Sequence, residues 1–325
     1  MMNPEMKNRI DPHIYDQVTA AFVSEYGYPG PPPRQSIERY FAGEPIDRQG
    51  KIWKLHTNTF EKQTVAAGVR RHYTDRDLDL DQYILYSGLV QGLMLGYSLE
   101  ALRFKTYCSG ALFWMYNDCW GEVGWTIVDD YLRRKIAFYA VRRALMPRKL
   151  ILRPDAGDGL IAVLGCNDTS QPITVELETG WVSLDGRERQ AVALNVTLPP
   201  QARTVLTRIT ADRSATNGLY YAQPKPTYHG HDLLPAFFYA KPYRELALAK
   251  SPAAVVAEQD DGPDRLVTVR AETFTPGVWL EADADQDLSD NYFDLLPGEM
   301  RTVRISGGAG GCFPVRTTEV DPANG

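Results

Sequence analysis

The sequence predicts an α/β segment followed by two antiparallel β-sandwiches, and three observations support this fold class. Before about residue 148, helical patterns alternate with short apolar runs, which is the rhythm of α/β architecture. After Pro147 the helical periodicity fades and short β-rich runs take its place. Turn signals of the Asn-Asp, Gly-Asp and Pro-Pro types separate these runs, as they do in antiparallel sandwiches. We therefore expect domains at residues 1–147, 148–230 and 231–317, with a short tail at residues 318–325.

Two strands and two helices are predicted within the first segment. The apolar run from Val18 to Val23 predicts a strand that is broken immediately by Ser24 and Glu25. Apolar residues recur at helical spacing from Asp79 to Arg103, and Asp79 with Gln82 resembles a capping box. The other predicted elements are a buried aromatic strand over residues 110–116 and a second helix over residues 130–145.

Nine short apolar runs predict the strands of the two sandwiches. Four lie in the first sandwich, at residues 160–164, 173–177, 191–198 and 204–210. Five lie in the second, at residues 237–239, 254–256, 266–269, 278–281 and 300–305. A stretch that bears Pro and Gly, residues 223–230, separates the two sets and predicts a linker.

Composition and charge narrow the classes of function. The 325 residues are 44% hydrophobic, which is ordinary for a globular protein with two or three cores. The net charge of −6 disfavours a nucleic-acid partner, because phosphate binding needs a basic surface. No apolar stretch approaches the roughly 18–20 residues that span a bilayer, so we expect no membrane partner. The 18 tyrosines and six tryptophans suit either sugar stacking or large β-rich cores, and both explanations stay open.

The cysteines and histidines give no metal signature. Four cysteines are scattered without a C-x-x-C pair, and no histidine stands at zinc-like spacing from them. His229 and His231 lie in a Pro-rich stretch, where a solvated pair is the better explanation. We therefore expect no metal and no other cofactor. The N-terminus lacks the apolar core of a secretory signal, and any targeting segment is expected to precede Met1, so the compartment stays open.

The first segment is too short for a complete α/β domain. Two strand–helix units leave the edges and apolar faces of a parallel sheet uncovered. A (β/α)₈ barrel needs about 250 residues, and the β-rich modules here begin near residue 148. We therefore expect the missing N-terminal half of a barrel either upstream in the native protein or in another chain.

Three motifs, in a fixed order, carry a resemblance to a known family. They are Phe22-Val-Ser-Glu-Tyr-Gly-Tyr28, then Gly110-Ala-Leu-Phe-Trp-Met-Tyr-Asn-Asp-Cys-Trp120, and finally Leu288-Ser-Asp-Asn-Tyr-Phe-Asp-Leu-Leu-Pro-Gly-Glu299. Together they resemble the C-terminal portion of family 2 glycoside hydrolases of the β-mannosidase type. The resemblance implies the C-terminal part of a (β/α)₈ TIM barrel, with strands seven and eight, followed by two immunoglobulin-like β-sandwiches.

The resemblance also implies a retaining mechanism with Glu25 as the nucleophile. Retaining glycosidases use two carboxyl groups about 5–5.5 Å apart, one as nucleophile and one as acid and then base. Glu25 directly follows an apolar run, so we expect it at the C-terminal barrel face, where such sites lie. The family's acid/base lies in an Asn-Glu motif, and no Asn-Glu dipeptide occurs in this chain. Because general acid catalysis contributes about 10²–10⁴-fold, we expect the chain alone to be inactive or nearly so.

Substrate contacts are expected from the second motif. The resemblance implies that Trp114 forms the floor of the sugar site next to the nucleophile, although a core aromatic residue is the alternative. Asp118 and Trp120 are second choices for substrate contact. Asp129 and Lys135 are expected to orient the loop and helix that follow the eighth strand.

Three functions stay open on the sequence. The first is an exo-acting β-mannosidase-like glycosidase that takes a β-linked oligosaccharide, because the third motif is closest to that branch. An exo-β-glucosaminidase shares much of the layout and is the second. The third is a non-catalytic role, in which the chain is a glycan-binding or accessory β-sandwich subunit, and the absent Asn-Glu motif favours it for this polypeptide alone.

Overall fold

The computed structural model of the protein describes residues 9–155, 159–211, 217–225, 232–250 and 253–323. The pair His229 and His231, expected to be solvated, lies outside the described residues. The description begins with a 3₁₀ turn, Pro12–Gln17, which is capped by the side chain of Asp11.

The first segment contains a two-stranded parallel sheet and five α-helices among its described residues. The strands are β1 (Phe22–Tyr26) and β2 (Gly110–Phe113). The helices are α1 (Arg34–Phe41), α2 (Lys51–Leu55), α3 (Ala66–His72), α4 (Leu80–Phe104) and α5 (Ile136–Ala144). A π-helical turn, Glu61–Val65, leads directly into α3.

Helix α4 is the central element of this segment, and it begins where its capping box predicts. The Asp79 carboxylate accepts the backbone N–H of Gln82 at 2.9 Å, and the Gln82 side chain accepts the backbone N–H of Asp79 at 3.3 Å. These bonds satisfy N–H groups that the first helical turn leaves without partners. Helix α5 packs closely on α4 at Gly88, where a Cβ atom would stand 2.8 Å from the Ile136 side chain.

Helix α5 begins at Ile136 rather than at residue 130 as expected. The Asp129 carboxylate accepts the backbone N–H groups of Tyr131 and Arg133, each at 2.9 Å. These bonds hold the preceding residues in a loop, because a side chain that caps nearby N–H groups competes with helical bonding.

The two parallel strands differ from their predictions in extent and in exposure. Strand β1 begins at Phe22, where pairing with Gly110 starts, and it includes Glu25 instead of ending before it. Strand β2 ends at Phe113, and it is not the buried strand expected, since Leu112 is 58% exposed. Phe22 of β1 is also 52% exposed, so the apolar pattern alone overestimated burial.

The first β-rich unit consists of two sheets that share one core. One sheet has the strand order β3 (Arg148–Pro154), β4 (Leu160–Asn167) and β7 (Ala202–Thr210). The other has the order β6 (Arg189–Leu198), β5 (Ile173–Ser183), β8 (Gly218–Pro224) and β9 (Ala236–Phe238). Leu150 and Val163 from the first sheet pack in one cluster with Val175 and Leu177 from the second.

Strand β9 corrects the expected boundary between the two β-rich units. We expected residues 237–239 in the second sandwich, which was to begin at residue 231. Tyr221 instead pairs with Phe237, so β9 extends the sheet of the first unit. Phe238 is buried in that unit's core, which gives this strand its physical reason for pairing there.

The second β-rich unit also encloses a core between two sheets. One sheet has the order β10 (Ala254–Asp261), β11 (Asp264–Arg270) and β14 (Met300–Ile305). The other has the order β13 (Phe293–Leu295), β12 (Thr275–Leu280) and β15 (Val315–Thr317). Val267 and Val303 face Val278 and Leu295 in one fully buried cluster.

A further cluster joins the helices to both β-rich units. Leu89 and Leu95 of α4 belong to it together with Leu219 of the first unit and Phe274 of the second. The helical segment therefore has no separate core on this side. Within the described residues, no helix has the length and apolar character needed to cross a membrane.

Candidate active site

Glu25 lies in a β-bulge near the carboxyl end of β1. Val23 pairs with Ala111 and Tyr26 pairs with Phe113, so β1 holds one more residue than β2 over this interval. Ser24 and Glu25 are both exposed, although neighbouring strand residues normally face opposite sides. A bulge re-aims side chains and is common beside active sites. Here it coincides with two consecutive polar side chains that are both exposed.

Trp114 follows β2 directly, at the same end of the sheet as Glu25. Its backbone N–H donates to the Tyr26 carbonyl oxygen at 2.5 Å, and the peptide bond between Trp114 and Met115 is cis. A Cβ atom on Gly27 would lie 2.2 Å from the Trp114 carbonyl oxygen, so the chain needs glycine here for the close approach. The Trp114 side chain is 51% exposed in this chain.

Two loops leave the carboxyl ends of the parallel strands. We call residues 27–33, between β1 and α1, loop A, and residues 114–135, between β2 and α5, loop B. Gly30 of loop A and Gly124 of loop B exchange two backbone hydrogen bonds, of 2.9 and 3.2 Å. The loops that follow Glu25 and Trp114 are therefore directly connected.

Asp118 organises the turn in loop B that carries Trp120. One carboxylate oxygen accepts the backbone N–H groups of Cys119 and Trp120, at 3.0 and 3.3 Å. The other accepts the hydroxyl of Thr126 at 3.4 Å, which connects the turn to a later part of loop B. A carboxylate has about four acceptor positions, so these three bonds leave Asp118 some capacity for another partner.

Trp120 lies at the end of a stack of three aromatic rings. The His56 ring lies between the rings of Tyr40 and Trp120, with centroid distances of 4.4 and 4.5 Å and nearly parallel planes. His56 is buried, and its Nδ1 atom is bonded to the Gly121 carbonyl oxygen. Trp120 is 50% exposed, so one ring face is supported while half of the side chain stays accessible.

A second aromatic group lies at the same end of the sheet. Trp125 of loop B contacts Phe60 edge to face, with ring centroids 5.6 Å apart. The Arg9 guanidinium lies 5.4 Å from the centroid of the Phe60 ring. Trp114, Trp120 and Trp125 all belong to loop B, which leaves the carboxyl end of β2.

Burial affects the acidity of two carboxyl groups in loop B. Burial raises the pKa of Glu122, and the nearby Asp118 charge raises it further. Burial and the neighbouring Asp129 likewise raise the pKa of Asp130. Asp129 is fully buried and accepts the hydroxyl of Ser36 in α1 at 2.5 Å, which fixes loop B to that helix.

The structure brings Glu25, Trp114 and the loop that carries Asp118 and Trp120 to the same end of the strand pair. No group of three or more His, Cys, Asp or Glu side chains among the described residues could hold a metal ion. His56 was not singled out from the sequence. Its stacking partners are distant in sequence, so no local signal could have identified the ring stack.

Comparisons with known proteins add to this geometry. Residues 250–311 match the Ig_mannosidase family model, described as an Ig-fold domain. Beta-mannosidase B of Aspergillus niger is 26% identical, covering 90% of this chain and 37% of the relative. Beta-mannosidase B of Thermothelomyces thermophilus is 28% identical, covering 90% of this chain and 38% of the relative. The chain thus spans about two fifths of the length of these curated relatives.

Two solved structures share the fold. The β-D-mannosidase of Dictyoglomus thermophilum superposes with a TM-score of 0.85 and 22% identity, over 97% of this chain and 39% of that one. The exo-chitosanase of Amycolatopsis orientalis gives a TM-score of 0.68 and 16% identity, over 97% of this chain and 45% of that one. The order of the three motifs, the matches across nine tenths of the chain and the Ig-fold match agree. This chain is a relative of the C-terminal portion of family 2 glycoside hydrolases of the β-mannosidase type.

Proposed function

We propose that this chain forms the C-terminal part of a retaining exo-β-glycosidase of the β-mannosidase type, with Glu25 as the nucleophile. One observation carries the proposal. The bulge in β1 exposes Glu25 at the carboxyl end of a parallel strand, next to the strand that ends at Trp114. Active sites of (β/α)₈ barrels lie at this end of their strands.

The proposed reaction has two displacement steps. The Glu25 carboxylate attacks the anomeric carbon while the bond to the leaving oxygen breaks, and an acid supplies the proton that this oxygen takes. Water, deprotonated by the same partner group, then attacks the anomeric carbon and releases Glu25. The partner group is expected in an Asn-Glu motif, which this chain lacks, so the complete site includes a residue from outside the chain.

The exposed aromatic rings suit a sugar at this position. A pyranose has a flat C–H face that packs on an aromatic ring, and Trp114 and Trp120 each offer an accessible face. The stack of His56 on Trp120 holds that ring in one orientation before substrate arrives. Asp118 is proposed as a further contact through the acceptor capacity that its loop bonds leave free.

The same proposal accounts for the open face of the strand pair. Phe22 and Leu112 are both more than half exposed on these strands, which is unusual for large apolar side chains in a sheet. We infer that the remaining strands of a (β/α)₈ barrel, from the same or another polypeptide, cover this face and contribute the acid/base. The two β-rich units would then be immunoglobulin-like modules packed behind the barrel.

The test is turnover of an aryl β-mannoside by this chain together with the polypeptide encoded immediately upstream of it. Activity is expected for the combination and not for the chain alone. Glu25→Gln should reduce turnover to background, whereas the matched change Glu44→Gln, at an exposed glutamate after α1, should leave it unchanged. A 2-deoxy-2-fluoro-β-mannosyl fluoride should label the peptide that contains Glu25. Near-normal turnover by the Glu25→Gln protein would remove this residue from its role.

A second candidate is exo-β-glucosaminidase activity, which the structural likeness to the Amycolatopsis orientalis exo-chitosanase favours. Assays with paired aryl β-mannoside and aryl β-glucosaminide substrates separate the two specificities. If neither is cleaved, calorimetric titration of the chain with mannan and chitosan oligosaccharides tests the accessory glycan-binding role.

A further inference from the structure

Lys135 is a fully buried lysine at the base of the candidate active site. It precedes α5, and only 1% of its surface is exposed. Its Nζ atom donates to the Gly30 carbonyl oxygen at 2.5 Å and to the Gly124 carbonyl oxygen at 3.0 Å. One bond therefore reaches loop A and the other reaches loop B.

The two carbonyl groups do not need Lys135 to satisfy their hydrogen bonding. The Gly30 carbonyl also accepts the Gly124 N–H, and the Gly124 carbonyl also accepts the Gly30 N–H. Burying an ammonium group has a high free-energy cost unless it is well compensated. A buried charge that is not needed to satisfy the backbone points to a role in holding the two loops together.

Gln91 of α4 makes a parallel connection between the same loops. Its side-chain amide nitrogen donates to the Tyr28 carbonyl oxygen at 2.9 Å and to the Thr126 carbonyl oxygen at 3.0 Å. Gln91 is fully buried, and no space remains beside it, since a Cβ on Gly30 would lie 2.3 Å from its side-chain oxygen. The loops are thus joined by a neutral group on α4 and by a charged group at the last residue of loop B.

We propose that Lys135 is a positioning residue of the candidate active site, whose ammonium group sets the placement of loop A, after Glu25, relative to loop B, which carries Trp114 and Trp120. The effect of Lys135 on turnover rests on the proposed function, whereas its connection of loops A and B does not. The glycines that Lys135 contacts are close in sequence to the site residues. Gly30 lies five residues after Glu25, and Gly124 lies four residues after Trp120. A shift of either loop would therefore move the site itself.

The charge on Lys135 gives this connection a dependence on pH. Burial lowers the pKa of Lys135 to about 7, and the carboxylates of Asp118, Glu122 and Asp129 oppose this effect. These three groups all belong to loop B, and His56 lies close enough to Glu122 to interact with its charge. As the pH rises through about 7, the folded protein loses the ammonium charge, and the bonds to both carbonyl groups weaken.

The structural test uses the chain labelled with ¹⁵N-glycine, in which the Gly30 and Gly124 amides report on the connection. In the wild-type protein, both resonances should shift between pH 6 and pH 8, a window set by the lowered pKa. Lys135→Met keeps the unbranched shape without the charge and should remove this transition. Lys54→Met, at an exposed lysine of α2, should retain it.

The kinetic test uses the active combination of polypeptides defined above. Because a misplacement of about 1 Å can cost roughly 10²-fold in rate, Lys135→Met should lower kcat by about 10- to 100-fold with a smaller change in KM. Unchanged glycine resonances together with a kcat within about twofold of wild type would overturn the proposal. Should the Met variant fail to fold, absence of the transition in the wild-type protein would overturn it instead. A clear transition in a protein without glycosidase activity would contradict the proposed function alone.

Discussion

The second β-rich unit and the parallel strand pair contain similar apolar residues but bury them very differently. Leu295 of β13 is completely buried, because a second sheet lies across from it. Leu112 of β2 is 58% exposed, so no layer of the described chain covers its side chain. The difference shows that an apolar strand is buried only when the same chain also supplies a sheet or helices that pack against it. Where that layer is absent, the exposed face marks the place for a partner or a substrate.

The largest expected effect concerns the buried contact between α4 and the first β-rich unit, which we call the closed side of α4. Charged side chains join the two elements there. The Glu100 carboxylate bonds Lys149 at 2.9 Å and Arg153 at 3.1 Å, and both cations are nearly fully buried. Glu100→Gln would leave Lys149 without this carboxylate and Arg153 with the longer Asp16 contact, at 3.6 Å, so we expect a loss of about 3–5 kcal/mol in the free energy of unfolding. Urea unfolding measures it.

The matched control for this change is Glu258→Gln, because Glu258 is an exposed partner of Arg265. Exposed ion pairs contribute little, so the control should leave the urea midpoint almost unchanged. A loss below about 1 kcal/mol for Glu100→Gln would mean that the closed side depends on apolar contacts alone.

The next prediction compares the two leucines directly. Leu295→Ala should lower the free energy of unfolding by about 2–5 kcal/mol, through lost apolar contact and a residual cavity. Leu112→Ala in the same chain should stay within about 0.5 kcal/mol, since its side chain has little to lose. Both values come from denaturant titrations. Equal losses would show that the face carrying Leu112 is covered in solution, which would remove the contrast.

A smaller effect tests whether the first segment also contains a polar side chain that is fully shielded from solvent, as the core of a β-sandwich is. His72 of α3 is buried and hydrogen-bonded to the Ile10 carbonyl oxygen, and burial lowers its pKa from 6.5 to about 4. Between these values the unfolded chain binds a proton that the folded chain does not, so stability falls as the pH falls. We expect a loss of about 2 kcal/mol from this group between pH 7 and pH 5.

The variant His72→Gln keeps a side-chain N–H donor for Ile10 and removes the titration. Its stability should therefore change less with pH than that of the wild type, as measured by urea unfolding at both pH values. Identical pH profiles for the two proteins would contradict the assignment of this loss to His72.

Sequence patterns predicted the parts of the fold that depend on local bonding. The capping box at Asp79 and Gln82 fixed the start of α4 because both partners lie within one turn. The start of α5 was misplaced, because the Asp129 carboxylate and not the apolar pattern decides where that helix begins. Strand β9 was assigned to the wrong unit, since an apolar run carries no information about which sheet it joins.

The candidate site was predictable to the extent that its residues stand next to strand ends. The resemblance of the motifs implied the roles of Glu25 and Trp114, and the structure puts both residues at one end of the parallel pair. The His56 stack and the Gln91 connection could not be found in this way. Their partners come from separate loops and helices, and only the packing of those elements brings them together.

Because of the bulge in β1, the orientation of the Glu25 side chain depends on the number of residues in this strand. One extra residue between Val23 and Tyr26 interrupts the alternation of the strand, and Ser24 and Glu25 are both exposed there. A deletion of Ser24 would give β1 and β2 the same number of residues between these pairs, which restores the regular alternation of side chains. It would not replace any proposed catalytic residue. Orthologous sequences that differ here in length, and not in composition, would therefore be the ones to have lost this orientation.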